Sequence, residues 1–315
     1  MLKKEQFIKN IEKLKREKNA IVLAHYYQKP EVQDVADFVG DSLVLAQWAA
    51  KTTADVIVLC GVHFMGETAK ILSPEKRVFI PDMEAGCSLA DSCAADKFEA
   101  FVNAYPNHTV ISYVNTTAAV KALTDIVVTS TNAKLIVDSL PKDEKIIFGP
   151  DRNLGGYINQ LTGRNMVLWN GGCHVHEQFS VDRILELKKM HPSALVLVHP
   201  ECPGFLLQMA DHVGSTSSIL QFASRSRNDK FIVVTEPGIL HQMRLLNPGK
   251  MFIPAPPVDS AADCNECAYM KLNTLEKVYL CLENESPEIF VDEAVRVKAV
   301  KPIQRMLEIS AKHGL

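Results

Sequence analysis

Residues 21–27 read IVLAHYY, residues 109–115 TVISYVN and residues 195–201 LVLVHPE. Each is a short apolar run without alternation that ends in polar residues, the pattern of a strand covered on both faces. The polar ends recur: His25, Tyr113 and His199 are separated by 88 and 86 residues. Similar runs, DVIVLCG, RVFIPD, DIVVTS, KIIFGPD, MVLWNGG, FIVVTEPG and MFIPAP, alternate with helix-like segments along the chain. The sequence therefore predicts parallel sheets joined by βα crossovers, and the class is α/β.

Three further series of strand ends keep the same step. Ser42 in GDS, Ser130 in TSTNA and Thr216 in GSTSS are again 88 and 86 residues apart. LCGVHFMGETA starts at Leu59, FGPDRNLGGYI at Phe148 and TEPGILHQM at Thr235, and the fourth ends begin near Ile80, Leu168 and Ile253. Chance regularity is the competing account, and four independent landmarks disfavour it. The expectation is three βα modules of about 87 residues, each a mostly parallel four-stranded sheet flanked by helices. The expected divisions are 1–105 with an N-terminal helix, 106–190, and 191–315 with C-terminal helices. Like modules pack most simply around a pseudo-threefold axis, and ligands of open α/β sheets bind beyond the C-terminal strand ends. The site is expected on that axis.

Composition narrows the function. Of 315 residues, 47% are hydrophobic and 23% charged, and 34 Lys and Arg against 37 Asp and Glu leave a formal charge of −3. That balance gives no electrostatic reason to expect nucleic acid or a lipid surface as partner. The N-terminal stretch MLKKEQFIKNIEKLKREKNA has the spacing of an amphipathic helix and lacks a signal-peptide core. A cytoplasmic chain without membrane segments is expected, and its eight Cys are expected as thiols or metal ligands.

The fourth strand end of every module carries Cys: Cys87 and Cys93 in AGCSLADSC, Cys173 in NGGCHVHE, Cys264 and Cys267 in CNECAYM. The separations are 86 from Cys87 to Cys173 and 94 from Cys173 to Cys267, the second lengthened by PAPPVDSAAD. One thiolate per module suits a [4Fe–4S] cluster with three protein ligands, whose bare iron acts as a Lewis acid. Zinc on Cys264 and Cys267 is a competing reading, but no second pair completes four ligands. Core thiols without metal are another. Cys60 and Cys281 sit in apolar runs as packing residues, Cys93 reads as structural, and Cys202 in HPECPGF is undecided.

Around these thiols the strand ends offer His25, Tyr26, Tyr27, Tyr113, Asn115, His199 and Glu201, a composition suited to proton transfer. Ser42, Ser130, Ser215 and Thr216 stand where helices begin, so they either hold a phosphate or carboxylate or simply cap helices. His176, close after Cys173, can orient that ligand. His63, Glu67 and Lys70 lie in GVHFMGETAK, where Glu67 and Lys70 share a helix face, as a functional pair or a surface ion pair.

AHYYQ, GDS, FMGETAK, EAGCSLAD, SYVNTT, TSTNA, GPDRNLG, GGCHVHE, VHPEC, GSTSS and CAYMKLNTLEK together resemble the quinolinate synthase family (the A protein) from end to end. The resemblance implies a triangular three-domain fold, a central [4Fe–4S] cluster and a transferase-class condensation in NAD biosynthesis. Iminoaspartate and dihydroxyacetone phosphate would give quinolinate with loss of phosphate and two waters, beside an enzyme that produces iminoaspartate. Carried over by motif, the cluster ligands fall on Cys87, Cys173 and Cys267. Substrate contacts fall on His25, Tyr27, Ser42, Tyr113, Asn115, Ser130, His176, His199, Glu201 and Thr216, with Tyr27, His199 and Glu201 as catalytic groups. Some members have C-x-x-C-x-x-C where this chain has Ala261 in place of the first Cys. An aconitase-like dehydratase and a non-catalytic iron–sulfur sensor are the alternatives.

Overall fold

A computed structural model describes residues 3–259, 261 and 264–315, so Met1, Leu2 and part of the PAPPVDSAAD insertion lie outside the described residues. The first sheet contains β1 (Ala20–His25), β2 (Phe38–Gly40), β3 (Val56–Cys60) and β4 (Arg77–Phe79). The second contains β5 (Thr109–Tyr113), β6 (Ile126–Val128), β7 (Ile146–Gly149) and β8 (Val167–Leu168). The third contains β9 (Leu195–Val198), β10 (His212–Val213), β11 (Lys230–Val234) and β12 (Met251–Pro254). All three share one order, second strand, first, third, fourth, and every pairing is parallel. This order reverses direction between the first and third strands, which opens a crevice at their C-terminal ends.

A repeated side-chain device fixes the geometry of each module. Asp37, Asp125 and Asp211 accept the backbone N–H of Val22, Val110 and Val196 at 2.7, 2.8 and 2.8 Å. In each case the Asp amide also donates at 2.9 Å to the carbonyl of the same valine. A reciprocal pair of this kind fastens the start of the second strand to the first, giving edge groups a partner where the ladder begins. These aspartates are themselves 88 and 86 residues apart, so the repeat extends into residues outside the strand ends.

Burial divides the modules unequally. The first and second sheets share one apolar core, in which Leu23, Ile57 and Leu59 join Ile111, Val127 and Phe148. The helix Glu293–Lys312 adds Ala299, Ile303 and Met306 to it, all fully buried. The helix Leu275–Asn284 packs on the N-terminal helix Lys4–Glu17, with Phe7 and Tyr279 rings 5.5 Å apart. The third sheet buries its own residues around Leu197, Phe231 and Val233, and takes Tyr26 of the first module into that cluster. Among the described residues no helix is long and apolar enough to cross a membrane.

The aspartate device has a measurable cost when removed. Asp125→Ala leaves the Val110 N–H without its side-chain acceptor and should lower unfolding free energy by roughly 1 kcal/mol in a urea titration. Asp125→Asn, which keeps an acceptor oxygen, should recover most of it. Equal midpoints for the Ala variant and the parent would refute the structural role.

Candidate active site

The C-terminal strand ends of all three sheets surround one cavity with about 730 Å³ of empty space, its mouth included. His25, Tyr27 and Ser42 reach it from the first module, and Tyr113, Asn115 and Ser130 from the second. His176, His199, Glu201 and Thr216 complete the polar wall, and Cys87, Cys173 and Cys267 all reach it as well. The motif-derived ligand and substrate-contact residues thus face the same space, whereas Tyr26, Ser215, His63, Glu67 and Lys70 lie outside its lining. The rest is partly apolar, with Val62, Phe64, Met65 and Met270.

The polar wall contains an ordered chain. Tyr27 Oη lies 2.7 Å from Thr235 Oγ1, and Thr235 Oγ1 lies 2.9 Å from His176 Nε2. On the other side of the ring, His176 Nδ1 is 3.0 Å from Glu201 Oε2, while Tyr113 Oη donates to Glu201 Oε1. A hydroxyl, an imidazole and a carboxylate in sequence is the arrangement of groups that activates a hydroxyl in acyl-transfer triads, here with a tyrosine added at the hydroxyl end. Burial pushes the Glu201 carboxyl up, but the field and contact of His176, then His199 and the Tyr113 hydroxyl, bring it down to about 2. Glu201 is therefore ionised at the bottom of a cavity where it is only 3% exposed. The Asn153 amide, from the third strand end of the second module, donates to the Glu201 carbonyl at 3.1 Å and steadies it.

The two strand-end histidines are built alike. Tyr27 N donates to His25 Nδ1 at 3.2 Å, and Glu201 N donates to His199 Nδ1 at 3.4 Å. A neutral imidazole whose Nδ1 accepts carries its proton on Nε2, so each ring keeps an N–H for the cavity. Burial is the main cause that lowers His25 to about 4 and His199 to about 3; the His176 ring adds to it at His199. Both are neutral hydrogen-bond donors near pH 7.

The hydroxyl series resolves into two roles. Asp41 caps the helix Ser42–Lys51 and Ser215 caps Thr216–Arg225, each through its side-chain oxygen. Capping is therefore done by the preceding residue, which leaves Ser42 and Thr216 at the cavity wall. Asn115 Oδ1 and Thr129 Oγ1, also in that wall, are buried and find no hydrogen-bond partner among the described residues. Unspent polar atoms in a cavity wall are acceptors and donors for a polar ligand. Lys121, fully buried, holds the loop of Asn115 by donating to the carbonyls of Val114, at 2.8 Å, and Thr116.

A sequence model of the family described as "Quinolinate synthetase A protein" matches residues 9–308. A quinolinate synthase of Thermosynechococcus vestitus is 60% identical over 300 residues, 95% of this chain and 94% of its own length. Quinolinate synthases of Synechocystis and Trichormus variabilis are 58% and 57% identical over 95% of the chain and over 94% and 92% of theirs. The chain belongs to the quinolinate synthase family. As a member of that family it is an enzyme.

Read as a quinolinate synthase cavity, the space has donor atoms for a metal group on one wall. Cys173 Sγ, a His176 nitrogen and a Glu201 oxygen lie within 4.8 Å of one another. Cys87, Cys173 and Cys267 are free thiols contributed by the three fourth strand ends. Burial pushes all three thiols up, Cys87 to about 12. A bound cation displaces the thiol proton, and three free thiols beside the Cys173–His176–Glu201 donor trio in one cavity fit a bound metal centre. Cys267 is placed by its surroundings: its N–H donates to Glu236 Oε1 at 3.3 Å, and Glu236 pairs with Lys271 at 2.7 Å. Lys271 donates in turn to the Tyr27 carbonyl at 2.7 Å. Cys264 lies outside the cavity lining. Cys60, Cys93, Cys202 and Cys281 are buried away from it.

Sequence reasoning missed Thr235, Glu236 and Asp41 as site residues. The signal was present, since Thr235 opens the third-end series and Asp41 precedes Ser42, but neither position had chemistry until its partners were known. The Glu67–Lys70 pair does not form. Glu67 accepts the Ala118 N–H at 3.0 Å across modules, while Lys70 pairs with Glu288 at 3.7 Å.

The histidines make stability pH-dependent. The unfolded chain takes protons near the ordinary His value of about 6.5, whereas the folded rings wait until about 4 and about 3. Stability is therefore present above about pH 6.5 and lost as pH falls toward 4. Urea midpoints of metal-free protein should fall across that window, and His199→Asn should flatten the fall. A pH-independent midpoint would contradict the neutral assignment.

Proposed function

We propose that this enzyme condenses iminoaspartate with dihydroxyacetone phosphate to form quinolinate, releasing phosphate and two waters. The observation that supports it most directly is the run of hydrogen bonds from Tyr27 through Thr235 to His176, with Glu201 3.0 Å beyond the ring, set beside three thiols that reach the same cavity. Cys87, Cys173 and Cys267 would hold a [4Fe–4S] cluster. When bound, a cluster with three protein ligands supplies a Lewis-acidic iron.

The chain's own groups supply binding and proton movement. Ser42, Ser130 and Thr216 hold the phosphate of the triose, and the Nε2–H groups of His25 and His199 donate to carboxylate or carbonyl oxygens. Asn115 contributes its unspent Oδ1 and its amide. Together they place two substrates side by side, which removes much of the entropic cost of their meeting. Tyr27 gives its phenolic proton to a departing hydroxyl and is reprotonated along Thr235 and His176. Ionised Glu201 stabilises His176 whenever that ring carries the extra proton, as the carboxylate does in hydrolase triads. Tyr113 holds Glu201 in place. Iminoaspartate is an imine that water hydrolyses, so its supplier acts close by.

Glu201→Gln keeps the shape of the side chain but removes the charge. Quinolinate formation should fall by about 10²–10⁴-fold, the usual worth of acid–base assistance, with cluster absorbance unchanged. Unaltered turnover would remove Glu201 from the proton path. Anaerobic purification with iron and sulfide quantification gives a second check. Cys267→Ser should lose the cluster and Cys264→Ser should keep it, and the reverse pattern would reassign the third ligand.

A further inference from the structure

The second strand ends of the three modules are tied to one another beside the cavity by a single hydroxyl. Thr131 Oγ1 donates to Asp41 Oδ2 at 2.8 Å and lies 2.8 Å from Ser215 Oγ, whose own hydroxyl proton serves the second bond. Asp41 immediately precedes Ser42, Ser215 immediately precedes Thr216, and Thr131 immediately follows Ser130. One bridge therefore joins the neighbours of the three hydroxyl-bearing wall residues.

Both partners are already committed elsewhere. Asp41 Oδ1 accepts the Val44 N–H at 3.0 Å, and Ser215 Oγ accepts the Ser218 N–H at 3.3 Å. Movement of Thr131 would thus be passed to the starts of the helices that carry Ser42 and Thr216. Asp41 and Ser215 are 5% and 2% exposed, so a lost donor is not readily replaced by water.

The second module departs from its own repeat to make this bridge. In the register of the 88- and 86-residue steps, Thr131 corresponds to Leu43 and Ser217. Those residues are inside their helices, whereas the second-module helix begins at Ala133. The delayed start leaves 130–132 as a turn. Asn132 secures that turn, accepting the Thr129 N–H at 2.6 Å and donating to Ser310 Oγ at 3.0 Å.

We propose that Thr131 is a positioning residue that sets the spacing of Ser42, Ser130 and Thr216 and so determines the enzyme's grip on the phosphate of its triose substrate. The inference rests on the reading of those three hydroxyls as phosphate anchors. Its test is steady-state kinetics on cluster-loaded Thr131→Val, Thr131→Ser and Ser215→Ala, with Ser42→Ala as reference and inorganic phosphate as competitive inhibitor. Thr131→Val should raise the triose phosphate KM and the phosphate inhibition constant together, by roughly tenfold for a hydrogen bond to a buried carboxylate. The kcat and the iminoaspartate KM should stay within about twofold, and Thr131→Ser should restore the parent values. A loss spread equally over both KM values and kcat would overturn the proposal in favour of a general structural role. If Ser42→Ala raises the triose phosphate KM and Thr131→Val does not, the positioning claim fails while the anchor reading stands. If neither does, both fall. Should Thr131→Val not fold, Ser215→Ala, which removes one of the two bonds, decides by the same split.

Discussion

Glu201, in the third module, is a buried carboxylate held by three groups of the second. Tyr113 donates to one oxygen, His176 faces the other, and Asn153 fixes its backbone. Removing a carboxylate from water costs several kcal/mol unless such partners replace the hydration. Each partner must therefore be in place for the site to form, and each is delivered by a separate strand end. The partners are also pre-oriented, so little rearrangement is needed when charge develops on a substrate.

The pseudo-threefold pattern is uniform in topology and uneven in packing. The first two sheets are fused by a common apolar core closed by the helix Glu293–Lys312. The third meets the first through Tyr26, Tyr27 and a close backbone approach at Gly238, where a Cβ would come within 2.7 Å of Tyr27 Cα. Gln33 bridges the same contact, donating to the carbonyls of Tyr26, Gln28 and Gly238 at 2.8–3.0 Å. A polar, backbone-mediated contact fixes direction and distance more sharply than an apolar one of similar size, because hydrogen bonds are directional. The third module carries His199, Glu201, Thr216 and Thr235, so its attachment governs how these side chains meet Tyr27 and His176.

The same economy is visible at the cysteines. Burial keeps all three thiols protonated, and around Cys267 the Glu236 carboxylate adds to that effect while the Met270 and Tyr269 N–H groups and Lys271 oppose it. The Glu236–Lys271 pair also reaches Tyr27 through the Lys271 donation to its carbonyl. Cys267 and Tyr27 are consequently parts of one hydrogen-bonded frame.

The βα class, the three modules and the residues at the strand ends were determined by the sequence itself. Those properties are local: unbroken apolar runs select buried strands, and a fixed step places equivalent ends on equivalent loops. The contacts of Thr235 and Asp41, the neutrality of His25 and His199, and the exclusion of Cys264 from the cavity lining were decided only in three dimensions. Tyr27 and Thr235 are 208 residues apart and His176 and Thr235 are 59 apart. Periodicity carries no information about which distant side chains meet. Proton affinities depend on burial and on those meetings, and both arise only when the three sheets close around the cavity.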